Sequence, residues 1–140
     1  MTINKKLFNE VADAIENEPG MYNQSAWGNL NCKTPGCLAG WSVYLKGDTL
    51  KKLTTDKLVE NAVRYLFIVP PEQHISKEFL PAIFYTWWPV SWFIRTGINI
   101  QELTVLEKSI QPNARHAVII CRAIADGKIS EYEVLYDKAN

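Results

Sequence analysis

The stretch that decides the fold is residues 112–127, which read PNARHAVIICRAIADG. Apolar side chains recur there at the helical period and cover most of the circumference, leaving a polar stripe of Arg115, Arg122 and Asp126. Pro112 suits the start of such a helix, and Gly127 suits its end. A helix with so little polar surface is expected in the middle of a helical bundle.

Three earlier segments also have a helical pattern. The first follows Thr2, a candidate N-cap, and runs to the stop at Pro19-Gly20. The second begins with Thr34 as N-cap and Pro35 at the first helical position, and Gly47 ends it. The third is capped by Thr54 or Thr55 and ends before residues 70–71, which are both proline.

Shorter helices are expected in the second half of the chain. Pro81 and Pro89 each suit a helix start, and residues 104–110 are predicted to form another short helix. Ser130 and Glu133 have the spacing of a capping box for a last helix, although the alternation of residues 131–134 also fits a strand. The sequence therefore predicts a mainly α, single-domain compact bundle of about six short helices over residues 1–140.

Composition excludes several classes of function. The chain has 15 basic and 15 acidic residues, so it lacks the basic footprint of a duplex nucleic-acid binder. The most apolar run, residues 79–94, is short for a membrane span and contains two prolines, and no signal-peptide core follows Met1. Three cysteines are an odd count for a disulfide framework. We therefore expect a cytoplasmic protein with reduced cysteines and no membrane span.

The most unusual motif is TPGCLAGW at residues 34–41. If Pro35 opens the helix, Cys37 lies in its first turn, where backbone N–H groups and the helix dipole favour a thiolate. In a cysteine-dependent hydrolase or transferase, His116, or else His74, would act as base, and the N–H groups of Cys37 and Leu38 would hold the oxyanion. The simpler interpretation is that Cys37 is a small, buried packing residue.

The same motif leaves two other possibilities open. Cys32, Cys37, His74 and His116 have the right atoms for a small structural zinc site, although their spacing is looser than that of common zinc motifs. Cys32 and Cys37 could instead form a reversible disulfide. No metal or other cofactor is part of the favoured hypothesis.

The densest aromatic run is residues 84–93, FYTWWPVSWF. Three tryptophans within six residues are difficult to bury completely, so a partly exposed Trp87, Trp88 or Trp92 would suit a protein interface. A membrane-surface helix would need more flanking basic residues. Trp27 and Trp41, on either side of the cysteine pair, are the remaining candidates for binding residues.

The segment from Trp27 to Leu45 resembles an uncharacterised family of small phage and bacterial proteins with a motif like C-G-T-x-x-C-x-A-G-W. The matching residues are Trp27, Cys32, Thr34, Cys37, Ala39, Gly40 and Trp41. Lys33 replaces the family's glycine, and Gly36 replaces a histidine that often precedes the second cysteine. The resemblance implies a phage or mobile-element setting and no defined activity.

These observations favour a non-enzymatic protein-binding accessory module over an enzyme. Its partner would be a host or partner protein, as in counter-defence or host takeover, and its contact surface would lie around residues 87–93, with the loop 21–34 as an extension. The sequence leaves the oligomeric state open.

Overall fold

The computed structural model describes residues 2–25, 27–29 and 34–138. This part of the chain contains six α-helices and two small antiparallel sheets, which confirms the mainly α prediction. The helices are α1 (Lys5–Asn17), α2 (Leu38–Leu45), α3 (Thr55–Leu66), α4 (Val90–Arg95), α5 (Ala114–Ala125) and α6 (Glu131–Tyr136).

The described residues also form five short strands, numbered in chain order. They are β1 (Trp27–Asn29), β2 (Thr34–Gly36), β3 (Trp88–Pro89), β4 (Val105–Leu106) and β5 (Ser109–Ile110). β1 pairs with β2, and the second sheet has the order β3-β5-β4. Short 3₁₀ turns occur at Pro19–Met21, Leu50–Lys52 and Ala82–Phe84.

Helix α5 occupies the centre of the bundle, as its sequence predicts. Eight of its residues are buried, and its main neighbour is α1. Arg122, from the polar stripe, reaches Asp13 and Glu16 on α1 at 2.9 and 3.4 Å. The apolar faces of α1 and α5 therefore meet in the core, while Arg122 forms ion pairs between the two helices at the surface.

Several predicted helix ends are confirmed, and others lie at different residues from those predicted. Thr54 caps α3 by accepting from the N–H of Lys57, and Ser130 and Glu133 form the expected capping box, so the last segment is a helix. Asn4 replaces Thr2 as the cap of α1, because Thr2 instead pairs through its N–H with the carbonyl of Phe67. Pro81 opens only a 3₁₀ turn.

Two predictions about secondary structure are wrong. Residues 104–110 contain the β4-β5 hairpin in place of a helix, in which Val105 and Leu106 pair with Ile110 and Ser109, and β5 pairs in turn with β3. The segment from Thr34 to Gly36 is a strand, so α2 starts at Leu38. Gly36 has φ 69°, a left-handed conformation that glycine tolerates and that turns the chain into the helix.

Candidate functional site

The cysteine motif leads into α2, which begins three residues later than predicted, at Leu38 instead of Pro35. Cys37 is the N-cap residue, with extended backbone angles, and its carbonyl accepts the first helical hydrogen bond, from the N–H of Trp41 at 3.0 Å. Its side chain does not cap the helix, and it is fully buried. Cys37 therefore lies at the amino end of the helix, as predicted, but its side chain is buried from solvent.

Gln24, from the preceding loop, provides the cap that Cys37 does not. Its Oε1 accepts from the backbone N–H of Leu38 at 3.3 Å and from the hydroxyl of Tyr22 at 2.8 Å. Its Nε2 donates to the carbonyls of Ile83 and Tyr85 at 3.1 and 3.0 Å. The amide is only 1 % exposed, and all of its hydrogen-bonding groups have partners.

The hydroxyl of Tyr22, which donates to this amide, is buried and is influenced electrostatically by Cys37 and Cys121. Its pKa is raised well above the ordinary value, first by burial and then by the electrostatic influence of Cys121 and Cys37. Burial also raises the pKa of the Cys121 thiol to about 12. Because both groups are buried, the Tyr22 phenol and the Cys121 thiol are neutral at physiological pH.

His116, the candidate base, is engaged as a helix cap. Its Nδ1 accepts the backbone N–H of Asn113 at 3.2 Å, while the Asn113 side chain accepts the N–H of His116, which together form a capping box at the start of α5. The ring packs edge-on against Phe93, with centroids 5.3 Å apart. A neutral imidazole has one acceptor nitrogen, and this contact uses it. Both the Nδ1 atom and the backbone N–H of His116 are thus occupied by the capping box.

The three candidate zinc ligands that the structure describes, Cys37, His74 and His116, differ in exposure. His74 is exposed and His116 is buried. Over the described residues, no three His, Cys, Asp or Glu side chains are grouped as metal ligands would be. Cys32, and with it the possible Cys32–Cys37 disulfide, lies outside the described residues.

The candidate binding tryptophans separate into buried and accessible ones. The expected partial exposure is wrong for Trp88 and Trp92, which are wholly buried and pack against each other with centroids 5.9 Å apart. Trp41 is also buried, and the backbone of Trp27 pairs with Gly36 in the first sheet. Trp87 is half-buried. The sequence could not separate these residues, because their burial depends on where the tertiary fold places the strands and helices that carry them.

Trp87 lines an open cleft of about 450 Å³ at one end of the second sheet. The register that pairs Trp88 with Ile110, and Ile110 with Val105, places the next rung at Trp87, Gln111 and Thr104. The other lining residues are Leu103, Ile110, Pro112 and Asn113. None of these seven described lining residues is ionisable, and four of them, Trp87, Leu103, Ile110 and Pro112, are apolar.

No protein-family model matches the chain, and no curated protein or solved structure matches it either. Within the part of the chain that the structure describes, no helix is both long and apolar enough to cross a membrane.

Proposed function

We propose that this chain is a non-enzymatic protein-binding module whose contact surface is the cleft beside Trp87. The observation that carries the proposal is the combination of a half-buried tryptophan with an open cleft in which no described lining residue is ionisable. Tryptophan is enriched among the residues that dominate binding energy at protein interfaces.

The shape and lining of the cleft define what it would bind. Leu103, Ile110 and Pro112 offer apolar walls, while Gln111 and Asn113 provide a polar rim. An uncharged aliphatic or aromatic side chain of a partner protein fits this chemistry, because burying a charge there would leave it without a counter-ion. By contrast, the cleft between α1 and α5 carries Glu16 and Arg115 at its edge.

The partner we propose is a cytoplasmic protein, and the phage resemblance of residues 27–45 would make it a protein of the host. The cysteine motif then has a structural role, because Cys37 and Cys121 are fully buried and α2 is capped by Gln24. This assignment needs no cofactor.

The test begins with purification of the partner on the immobilised wild-type chain and measurement of its affinity. Trp87→Ala should weaken that affinity by about 30-fold or more, the loss typical of a hot-spot residue. Tyr132→Ala is the matched control, because Tyr132 is an exposed aromatic on α6 that does not line the cleft. Equal binding by the wild type and the Trp87 variant, with both folded, would rule out this surface.

A further inference from the structure

The cleft beside Trp87 contains hydrogen-bond donors that the fold itself does not use. The indole N–H of Trp88 donates to the carbonyl of Ile83 at 3.0 Å, and those of Trp41 and Trp92 are enclosed without a partner among the described residues. The indole N–H of Trp87 has no hydrogen bond to any residue that the structure describes, yet it is not enclosed. Among the tryptophans whose side chains are described, Trp87 is therefore the one whose N–H can reach a ligand.

Asn113 supplies a second set of donors to the same cleft. Its Oδ1 is already engaged, because it accepts the backbone N–H of His116 at 2.9 Å as the N-cap of α5. An asparagine amide also has two N–H donors, and those of Asn113 have no partner within the described ranges of the chain. What Asn113 has left to offer a ligand is therefore chiefly its N–H groups.

The other lining residues do not change this excess of donors. Gln111 and Thr104 are exposed and can both donate and accept, while Leu103, Ile110 and Pro112 form apolar walls. A donor that meets another donor remains unsatisfied, which is costly once water is excluded. The matching ligand is thus uncharged and apolar, with exposed acceptors and few N–H groups of its own.

We propose that the partner segment bound in this cleft is a proline-rich stretch in the polyproline II conformation, an inference that rests on the function proposed above. Proline has an apolar ring and no backbone N–H, but it keeps its carbonyl acceptor. A polyproline II segment has no internal hydrogen bonds, so its carbonyls are free to accept from the indole of Trp87 and the amide of Asn113. Docking of such segments against aromatic side chains is a recurrent mode of peptide recognition.

Helical and extended partners without proline match this set of donors less well. An α-helix uses its backbone carbonyls in its own hydrogen bonds, so it has few acceptors for the cleft. An extended strand without proline brings one N–H for every carbonyl, and those N–H groups would meet the donors of Trp87 and Asn113. A charged segment would have no counter-ion among the described lining residues.

Titration of the full chain with a synthetic peptide tests the class of ligand. The probe is an uncharged peptide of three Ala-Pro-Pro repeats blocked at both ends, and the comparison peptide has Ala-Ser-Ser repeats, which restore the missing N–H groups. Proton–nitrogen NMR follows the indole signal of Trp87, identified by its absence in Trp87→Phe. We expect a saturable shift with a dissociation constant of about 1 mM or lower for the proline peptide, and binding at least roughly tenfold weaker for the serine peptide.

Two variants remove the donors while keeping the fold. Trp87→Phe keeps an aromatic ring without the N–H, and Asn113→Asp keeps an oxygen that can cap α5 but replaces the amide donors with a carboxylate. Each should raise the dissociation constant of the proline peptide by about tenfold or more, as measured by isothermal titration calorimetry. Asn99→Asp is the matched control, because the Asn99 oxygen also accepts a backbone N–H, that of Gln101 at 3.0 Å, but does not line the cleft.

Three results would overturn the proline-rich ligand. They are the absence of saturable binding by the proline peptide, equal binding of the serine peptide, and binding by a folded Asn113→Asp chain that is as tight as that of the wild type. Melting temperatures of the variants show that they are folded. The proposed function fails separately, because it depends on whether Trp87→Ala weakens the affinity for the purified partner protein.

Discussion

The Oε1 atom of Gln24 lies 3.3 Å from the backbone nitrogen of Leu38, the first residue of α2. A helix N-terminus is usually satisfied by the side chain of its own N-cap residue. Here the N-cap is Cys37, whose side chain does not cap, and a buried amide 14 residues from Leu38 takes that role. The same amide also binds the carbonyls of Ile83 and Tyr85, so it joins three parts of the chain.

Replacing the Gln24 amide should lower the free energy of unfolding. Gln24→Leu would leave the N–H of Leu38, the carbonyl of Tyr85 and the hydroxyl of Tyr22 without their partner, and we expect a loss of about 3 kcal/mol in the free energy of unfolding. Urea denaturation measures this loss. Gln101→Leu, at an exposed position, should change stability by less than about 0.5 kcal/mol. Similar small effects for both variants would contradict the role of Gln24.

The capping box at the start of α5 should make stability depend on pH. Burial, with a smaller effect from Arg115, lowers the pKa of His116, so the unfolded chain binds a proton at higher pH than the folded chain does. Its contribution to stability is therefore complete above about pH 6.5 and falls as the pH decreases below that value.

His116→Gln tests this pH dependence, because glutamine can accept the same N–H of Asn113 without titrating. Unfolding free energies measured between about pH 5 and 8 should decrease less steeply at acid pH in this variant than in the wild type. His74→Gln makes the same substitution at an exposed histidine and serves as the matched variant. Identical slopes for the wild type and His116→Gln would show that the imidazole does not contribute.

Ile68 stores backbone strain at the end of α3. It has φ 45° and is 54 % exposed, while the N–H of Val69 bonds back to the carbonyl of Arg64 in a helix-ending turn that usually contains glycine. Since a branched side chain is disfavoured in this conformation, Ile68→Gly should raise the melting temperature and stabilise the fold by about 1 kcal/mol.

The matched control is Ile94→Gly. Ile94 is 58 % exposed but lies within α4, where glycine is expected to destabilise by about 1 kcal/mol. Opposite signs for the two variants would confirm the strain at Ile68. A loss of stability in both would mean that the Ile68 side chain makes contacts worth more than the strain.

The burial of Cys37 predicts slow chemical modification. In a Cys32→Ala chain at neutral pH, we expect iodoacetamide to label Cys37 at least roughly a hundredfold more slowly than a free thiol, because labelling requires local opening. Mass spectrometry of the labelled chain over time measures the rate, and added urea should increase it. Rapid labelling of the native chain would favour the hypothesis that Cys37 is a nucleophile over a packing role.

Local patterns in the sequence determined where most helices lie. The apolar period of residues 114–125, Thr54 as a cap and the Ser130–Glu133 box all act within a few residues, so they could be identified before the fold was known. The position of Cys37 at the amino end of α2 was predictable for the same reason, although the helix starts at Leu38.

Only the tertiary structure decided what those elements present to solvent and to one another. β5 of the hairpin pairs with β3, about 20 residues earlier in the chain, and Gln24 finds partners up to 61 residues away. Trp87 and Trp88 are adjacent in the chain, yet one borders a cleft and the other is buried. Periodicity and capping are short-range properties of the chain, whereas exposure and strand pairing depend on residues that meet only when the whole chain has folded.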